Sequence, residues 1–174
     1  MQHPWALAKF KENQNQIGSK QKGGGIEMSN INGELVKMLN KALELEHAAR
    51  IQYLAHAELV KGINAEKIIE RLKEIASDEE KHEEKFRNLI GNYLDGEPSM
   101  GIAETHRARK IDEILEVNLT SEKEAIDYYK QIYQKVFENK EALPYAFETL
   151  EHELRHVILD EQEHVVEISL LLGK

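Results

Sequence analysis

The sequence predicts an all-α protein, a four-helix bundle with a long crossover between the second and third helices. Three observations predict it. Apolar residues recur at spacings of three and four from about residue 32 onward, breakers divide the chain into four long segments, and two halves of the chain repeat one pattern. At 174 residues, of which 41% are hydrophobic, the chain is long enough to bury the core of one domain.

The four helices are separated by glycine and proline residues. The breakers are Gly62, Gly91, the Gly96-Glu97-Pro98 turn and Pro144. They place helices near residues 32–61, 65–94, 108–139 and 143–172. Short connections within each pair predict two antiparallel hairpins. Between the pairs, residues 95–107 can run the whole length of the bundle, because an extended chain spans roughly 3.3–3.6 Å per residue.

The N-terminal part differs from the rest of the chain. Residues 1–30 are polar and contain the triplet Gly23-Gly24-Gly25, which predicts a flexible tail, with the bundle over residues 31–174. The apolar patch Trp5-Ala6-Leu7-Ala8 is too short for a signal-peptide core, and no run approaches the roughly 20 apolar residues of a membrane span. We therefore expect a cytoplasmic protein with no membrane partner.

Charge and cysteine content exclude several function classes. There are 32 acidic and 23 basic residues, a net charge of -9, which disfavours nucleic acid as a partner and suits a protein that attracts cations. Cysteine is absent, which excludes disulfides, thiolate metal sites, iron–sulfur clusters and any rubredoxin-like module.

Two charged residues interrupt the apolar seam of the second helix, the set of residues that recur at helical spacing. In order, the seam is Ile68, Leu72, Ile75, Glu79, His82, Phe86, Leu89 and Tyr93. Glu79 and His82 are thus in phase with the core, and are candidates for metal ligands. The other charges nearby are expected on the solvated face, at Glu80, Lys81, Glu83, Glu84 and Lys85.

The other three helices show related interruptions. The fourth helix repeats Glu-x-x-His within the seam Phe147, Leu150, Leu154, Val157, Glu161, His164, Ile168 and Leu171. The first has the seam Leu35, Leu39, Ala42, Glu46, Ala49 and Tyr53. The third has Ile111, Leu115, Asn118, Glu122, Ala125, Tyr129 and Ile132. Each of the last two places one Glu in the seam and a Tyr seven residues later, so the chain looks like a duplicated hairpin.

These residue types at this spacing suit a dinuclear metal site. Residues three apart on a helix are about 60° apart around the axis and about 4.5 Å along it, so a Glu and a His can hold the same ion. Four buried carboxylates without partners would cost several kcal/mol each, whereas two divalent cations cancel their charge. Oxygen-rich ligation with two imidazoles suits iron or manganese and accommodates zinc.

Over about residues 34–172 the sequence resembles the ferritin-like superfamily, in particular bacterioferritin and the rubrerythrin-type di-iron domains. The matching segments, one per helix, are LELEHAARIQYLAHA, DEEKH, LTSEKEAIDYY and DEQEH. The resemblance implies two iron ions per chain, with manganese or zinc as alternatives in the isolated protein. It implies these ligands: Glu46 and His82 for one ion, Glu122 and His164 for the other, and Glu79 and Glu161 bridging.

The resemblance also assigns roles to neighbouring residues. Tyr53 matches a family tyrosine near the metal that can help supply an electron, and is the candidate catalytic residue. Packing alone is the alternative for Tyr53 and for Tyr129. Asp78 and Asp160 match family acids beside the bridging glutamates and are expected to orient the histidines.

The sequence departs from the family pattern in three places. Glu80 stands where bacterioferritin has its haem-ligating Met, so no haem is expected. Ala125 stands where rubrerythrins carry an extra Glu, and their rubredoxin domain would need cysteines. The chain ends at Lys174 without the fifth helix of many 24-subunit cages, which argues against storage inside a shell.

The function expected from these residues is oxidation of Fe(II) with O2 or H2O2. Such a ferroxidase or peroxide-scavenging oxidoreductase would serve iron homeostasis or oxidative-stress defence, as a homo-oligomer, dimer or larger. Two alternatives remain open. One is an iron storage or sequestration subunit of a larger ferritin-like assembly, and the other is a non-catalytic helical interaction protein.

Overall fold

Four long helices form the structure, a computed structural model that describes residues 24–174, with side-chain environments from residue 30 onward. They are α1 (Gly24–Ala57), α2 (Ala65–Asn88), α3 (Ile111–Glu138) and α4 (Phe147–Leu171). A π-helical segment, Leu89–Tyr93, continues α2, and a short 3-10 turn, Lys140–Ala142, precedes α4. Within residues 24–174 there is no strand, and the predicted all-α four-helix bundle is confirmed.

The helices pair as the two predicted hairpins. α1 packs along α2 and α3 along α4, and contacts between α1 and α3 and between α2 and α4 join the hairpins. The turn between α1 and α2 uses two left-handed residues, Gly62 with a φ of 115° and Asn64 with a φ of 66°. A glycine and an asparagine are the residue types that adopt this conformation most readily.

The crossover follows α1 from its middle towards its C-terminal end. Asn40 Nδ2 donates to the Glu97 carbonyl at 2.9 Å, and the Ala103 N–H donates to the Glu44 carbonyl at the same distance. Gly96 allows the close approach, because a Cβ there would lie 2.6 Å from Cγ2 of Val36. The long crossover predicted between the second and third helices is therefore present, and it is held against α1 by hydrogen bonds.

Two apolar clusters form the core, and the candidate ligands lie between them along every helix. One cluster is formed mainly by Leu35, Leu39, Phe86, Leu89, Ile132, Leu150 and Leu154. The other is formed mainly by Leu72, Ile75, Ile114, Leu115, Leu119 and Ile168. A polar layer is thus enclosed by apolar packing towards both ends of the bundle.

The observed helix ends differ from the predicted ones. α1 begins at Gly24, eight residues before the predicted start at residue 32, and the buried side chain of Ile31 belongs to the core. The predicted tail therefore includes helical residues from 24 to 30, while residues 1–23, with the WALAKF segment, lie outside the described residues. The domain division at residue 30 stays a prediction. α1 also ends at Ala57 instead of residue 61, while α3 and α4 start at Ile111 and Phe147.

Two side chains predicted from the pattern of α2 are placed differently by the structure. Tyr93 was expected in the apolar seam but is 39% exposed, because the π-helical turn inserts an extra residue and brings Leu94 inward instead. Glu83 was expected on the solvated face but is buried, where it forms ion pairs with Arg87 at 3.0 Å and Arg50 at 3.6 Å.

None of the helices in the described part of the chain is both long enough and apolar enough to cross a membrane.

Candidate metal centre

Six side chains, one or two from each helix, converge in the polar layer of the bundle. Each is at most 3% exposed, and they are the six residues predicted as ligands: Glu46, Glu79, His82, Glu122, Glu161 and His164. Their positions follow from the helical phase of each seam, since every one replaces an apolar core residue.

The first half of the layer is centred on His82. Its Nδ1 atom lies 3.1 Å from Glu79 Oε2 and 3.0 Å from Glu161 Oε1. A carboxylate oxygen of Glu46 on α1 lies 3.8 Å from the same nitrogen. One ligand atom from each of these four residues lies within 4.8 Å of the others, a spacing compatible with one metal ion.

The second half is centred on His164 and shares two carboxylates with the first. His164 Nδ1 lies 2.9 Å from Glu161 Oε2 and 3.5 Å from Glu79 Oε1. Together with Glu122 on α3, these residues form a second four-residue group within 4.8 Å. Glu79 and Glu161 thus direct one oxygen towards each histidine, which is the arrangement that two bridging carboxylates require.

The polar layer fits a pair of cations better than it fits an empty core. Glu79 Oε1 is a buried atom with no hydrogen-bond partner in the described structure. Burial, together with the charges of the other carboxylates, raises the pKa of Glu79 well above its usual value. Burial and the adjacent Glu161 charge likewise raise the pKa of Glu122. Two divalent cations would offset both shifts, because they stabilise the charged form of each carboxyl.

Glu161 differs from Glu79, the other carboxylate that both groups share. Although burial opposes it, hydrogen bonds to His164 and His82 lower the pKa of Glu161. Burial also tends to lower the pKa of His82, but hydrogen bonds to Asp160, Glu161, Glu46 and Glu79 raise it overall. Hydrogen bonds to both histidines thus favour the charged carboxylate of Glu161, whereas burial disfavours charge on Glu79 and Glu122.

Each histidine is held at its outer nitrogen by an acid from the opposite hairpin. His82 Nε2 lies 3.2 Å from Asp160 Oδ2 on α4, and His164 Nε2 lies 3.7 Å from Asp78 Oδ2 on α2. The hydrogen bond to Asp160 orients the His82 ring with Nδ1 inward, and Asp78 lies within ion-pair distance of His164. The two aspartates, predicted to orient the histidines, are thus located beside them, each across the helix pair and not on its own helix.

The two predicted tyrosines form a reciprocal pair of contacts across α1 and α3. Tyr129 Oη donates to Glu46 Oε1 at 2.6 Å, and Tyr53 Oη donates to Glu122 Oε1. Burial and then the nearby carboxylate charges raise the pKa of both phenols. Each tyrosine therefore remains a hydrogen-bond donor to the terminal glutamate of the opposite half.

Cavities reach the layer from two sides. On the α1–α3 side, a cavity of about 190 Å³ is lined by Glu46, Glu122 and Glu161 together with Ala49 and Ala125. The small side chain of Ala125, at the position where rubrerythrins carry a glutamate, leaves this space open. On the α2–α4 side, a cavity of about 360 Å³ is lined by both histidines and their aspartates.

A buried polar network next to the centre was not anticipated from the sequence. Gln52 Nε2 donates to Asn118 Oδ1 at 2.9 Å, and Asn118 Nδ2 lies 3.0 Å from His56 Nδ1. The crossover joins it through the His106 N–H, which donates to Gln52 Oε1 at 2.5 Å. Asn118 in the predicted seam of α3 was the one signal of such a network.

Comparison with known proteins decides the family. The model of the ferritin-like domain family matches residues 36–174, which is most of the chain and includes all six converging residues. The chain belongs to the ferritin-like domain family. No curated protein matches this ferritin-like chain by sequence.

Solved structures resemble this ferritin-like chain closely in fold. A ferritin-like di-iron-carboxylate protein from Bacillus anthracis str. Ames is 27% identical, with a TM-score of 0.75, over 82% of this chain and 97% of that chain. Rhodobacter capsulatus bacterioferritin is 22% identical, with a TM-score of 0.72, over 81% of this chain and 84% of its own. The bacterioferritin-related protein of Bacteroides fragilis, described as a dodecameric thioferritin, is 23% identical, with a TM-score of 0.70, over 82% and 86%.

Proposed function

We propose that this ferritin-like protein binds two iron ions in the polar layer and oxidises Fe(II) with O2 or H2O2. The observation that supports it most is the position of Glu79 and Glu161, each of which directs one oxygen towards each histidine. A structural polar layer would need only hydrogen-bonded partners, yet here a buried carboxylate oxygen has none.

The proposed ligands fall into the two four-residue groups that the distances define. Glu46 and His82 would hold one ion, and Glu122 and His164 the other, with Glu79 and Glu161 shared. Iron, when bound, supplies one-electron redox chemistry. Two Fe(II) give up two electrons, and these with two protons convert H2O2 into two water molecules.

The remaining residues of the layer would prepare it for this reaction. Asp160 and Asp78 hold the imidazoles with Nδ1 inward. The hydrogen bonds from Tyr129 and Tyr53 fix the terminal glutamates. With O2 as the oxidant, reduction to two water molecules takes four electrons; two would come from the Fe(II) pair, one from Tyr53 as the proposed source, and one from a further substrate Fe(II). The α1–α3 cavity, lined by three of the carboxylates, is the proposed approach for Fe(II) and the oxidant.

We also propose that the protein is a homo-oligomer. The Bacteroides fragilis relative is described as a dodecamer. On α4, Val166 and Leu170 are 57% and 69% exposed, which is apolar area that a second copy could cover. An assembly of many copies would favour the alternative function, iron storage or sequestration, while a dimer would favour oxidation as the main role.

Oxidation kinetics test the proposal. Fe(II) is added anaerobically, two ions per chain, and mixed rapidly with O2 or with H2O2 while Fe(III) absorbance is recorded. Wild-type protein is expected to accelerate oxidation over buffer, whereas Glu161→Gln should not. The matched control is Glu84→Gln, which removes an exposed carboxylate from α2. Equal acceleration by all three proteins, or by none, would overturn the proposal.

A further inference from the structure

A separate cavity lies between the C-terminal end of α1 and the last residues of the crossover. Its volume is about 710 Å³. One wall is apolar and comes from α1 and the turn that follows, with Ile51, Ala55 and Leu59. The rim is cationic, with Lys61, Arg107 and Arg109. The volume is within the range of about 300–1,000 Å³ that is typical of small-molecule sites.

The two arginines of this cavity differ from the other arginines of the chain. Its lining contains no acidic residue, although the whole chain has a net charge of -9. In the described structure, Lys61, Arg107 and Arg109 form no ion pair. Every other arginine does so, at Arg50, Arg71, Arg87 and Arg155. Two guanidinium groups without carboxylate partners at one rim are available to an external anion.

The apolar wall indicates what else the anion should carry. Ile51 is 52% exposed and Leu59 is 44% exposed, so both retain apolar surface that a ligand could cover. Covering such surface contributes roughly 25 cal/mol per Å². Arginine pairs well with planar or tetrahedral oxyanions through two parallel hydrogen bonds. A bare inorganic anion would use only the rim and leave the wall exposed.

We propose that this cavity binds a small amphiphilic oxyanion, a carboxylate or phosphate group carried on an apolar body. Arg107 and Arg109 hold the charged group, with Lys61 nearby, and the apolar body lies along Ile51 and Leu59. None of the six residues of the metal centre lines this cavity, so binding of the oxyanion does not depend on iron. The proposed site can therefore be tested independently of the proposed oxidation.

This cavity nevertheless adjoins the cavity on the α1–α3 side, which leads to the metal centre. Gln52 and His106 line both this cavity and the 190 Å³ cavity on the α1–α3 side. They are joined to each other by the hydrogen bond from the His106 N–H to Gln52 Oε1. A bound oxyanion would therefore lie against the two residues that separate it from the carboxylates of the centre.

The test uses the full-length, metal-free protein and the fluorescent anion 8-anilinonaphthalene-1-sulfonate. Saturable binding with one site per chain is expected. The double variant Arg107→Gln/Arg109→Gln should weaken it at least about tenfold, because both charged donors to the anion are removed. The matched control, Lys123→Gln/Lys130→Gln, removes the same charge from exposed positions on α3 and should bind like wild type.

Two further experiments distinguish the contribution of charge to binding from that of apolar contact. Decanoate and decyl phosphate should displace the dye, whichever of the two head groups is preferred, while decanol at the same concentration should not. Ala55→Trp, which fills the cavity and keeps its charges, should also lose binding. Equal displacement by decanol, or unchanged binding in the double arginine variant, would overturn the proposal. So would absence of a dye site together with an oligomer that the arginine variant dissociates, since a second copy would then occupy the cavity.

Discussion

Asp160 on α4 lies 3.2 Å from Nε2 of His82 on α2, so a residue of the second hairpin orients a proposed metal ligand of the first. The reverse contact, from Asp78 on α2 to His164 on α4, is longer at 3.7 Å. The hydrogen bond with His82 also lowers the pKa of Asp160 despite partial burial. The two halves of the duplicated chain therefore complete one centre between them, and neither hairpin contains a complete site.

The first prediction concerns this contact. Asp160→Asn keeps the size of the side chain but removes the charge that holds His82, so metal affinity should fall about 10–100-fold. Asp78→Asn should have the smaller effect, because its contact with His164 is longer. Competition titration with a chromophoric chelator measures both. An equal or larger loss in Asp78→Asn would contradict the assigned contacts.

Glu79→Gln should separate metal binding from folding. Since burial raises the pKa of Glu79 and so disfavours its charge, an uncharged amide of the same shape should replace the carboxyl with little change to the metal-free fold. The free energy of unfolding without metal should change by less than about 1 kcal/mol. Metal at a thousand times its Kd should stabilise wild type by about 4 kcal/mol and the variant much less. Thermal melts with and without metal measure both quantities, and Glu84→Gln is the control.

The tyrosine contacts predict a matched pair of variants. Tyr53→Phe and Tyr129→Phe each remove a donor to a buried carboxylate, and each should destabilise the protein by about 1–3 kcal/mol. If Tyr53 supplies an electron, only Tyr53→Phe should also slow Fe(II) oxidation and abolish a tyrosyl radical signal in freeze-quenched samples. Equal kinetic effects of the two variants would instead indicate that both tyrosines only hold the glutamates.

Metal binding should be linked to protons. The pKa values of Glu79 and Glu122 are raised in the metal-free protein, so these carboxyls must lose protons to become ligands. Affinity should therefore fall as the pH decreases through the raised pKa values, with net release of protons on binding. Calorimetric titration in two buffers with different ionisation heats measures the release. Binding without net proton release would contradict the proposed ligands.

The same pKa shifts determine the direction in which the folding stability of the metal-free protein changes with pH. A carboxyl with a raised pKa in the folded state binds its proton more tightly there than in the unfolded chain. Its contribution to folding stability is complete below the ordinary glutamate pKa of 4.5 and is lost as the pH rises through the raised value. The stabilisation gained on adding metal should therefore increase with pH over the same range, as thermal melts can measure.

The convergence of the six side chains could be predicted because helical phase alone places them. Glu79 and His82 are in phase with Leu72 and Phe86, and the structure buries all four. The register between helices could not be obtained this way. The packing of the two hairpins decides which oxygen of Glu79 faces which histidine. It also decides that each aspartate contacts the histidine of the other hairpin.

The errors at α2 have local causes. The predicted seam continues from Glu79 to His82, three residues later, and so leaves Glu83 on the solvated face. At four residues after Glu79 it faces α1, where Arg50 offers a partner. Tyr93 was misplaced because a π-helical turn changes the phase of the helix, and the sequence carries no clear signal for that turn. The network of Gln52, Asn118 and His56 depends on contacts between α1, α3 and the crossover, which periodicity does not describe.

Anaerobic Fe(II) titration of the metal-free protein tests the central claim most directly. The positions of Glu79 and Glu161 between the two histidines predict a break at about two Fe(II) per chain, because the two four-residue groups share both carboxylates. Glu161→Gln should abolish that break, while Glu84→Gln should leave it unchanged. Absence of tight binding in wild type, or the same break in Glu161→Gln, would contradict a dinuclear centre at these residues.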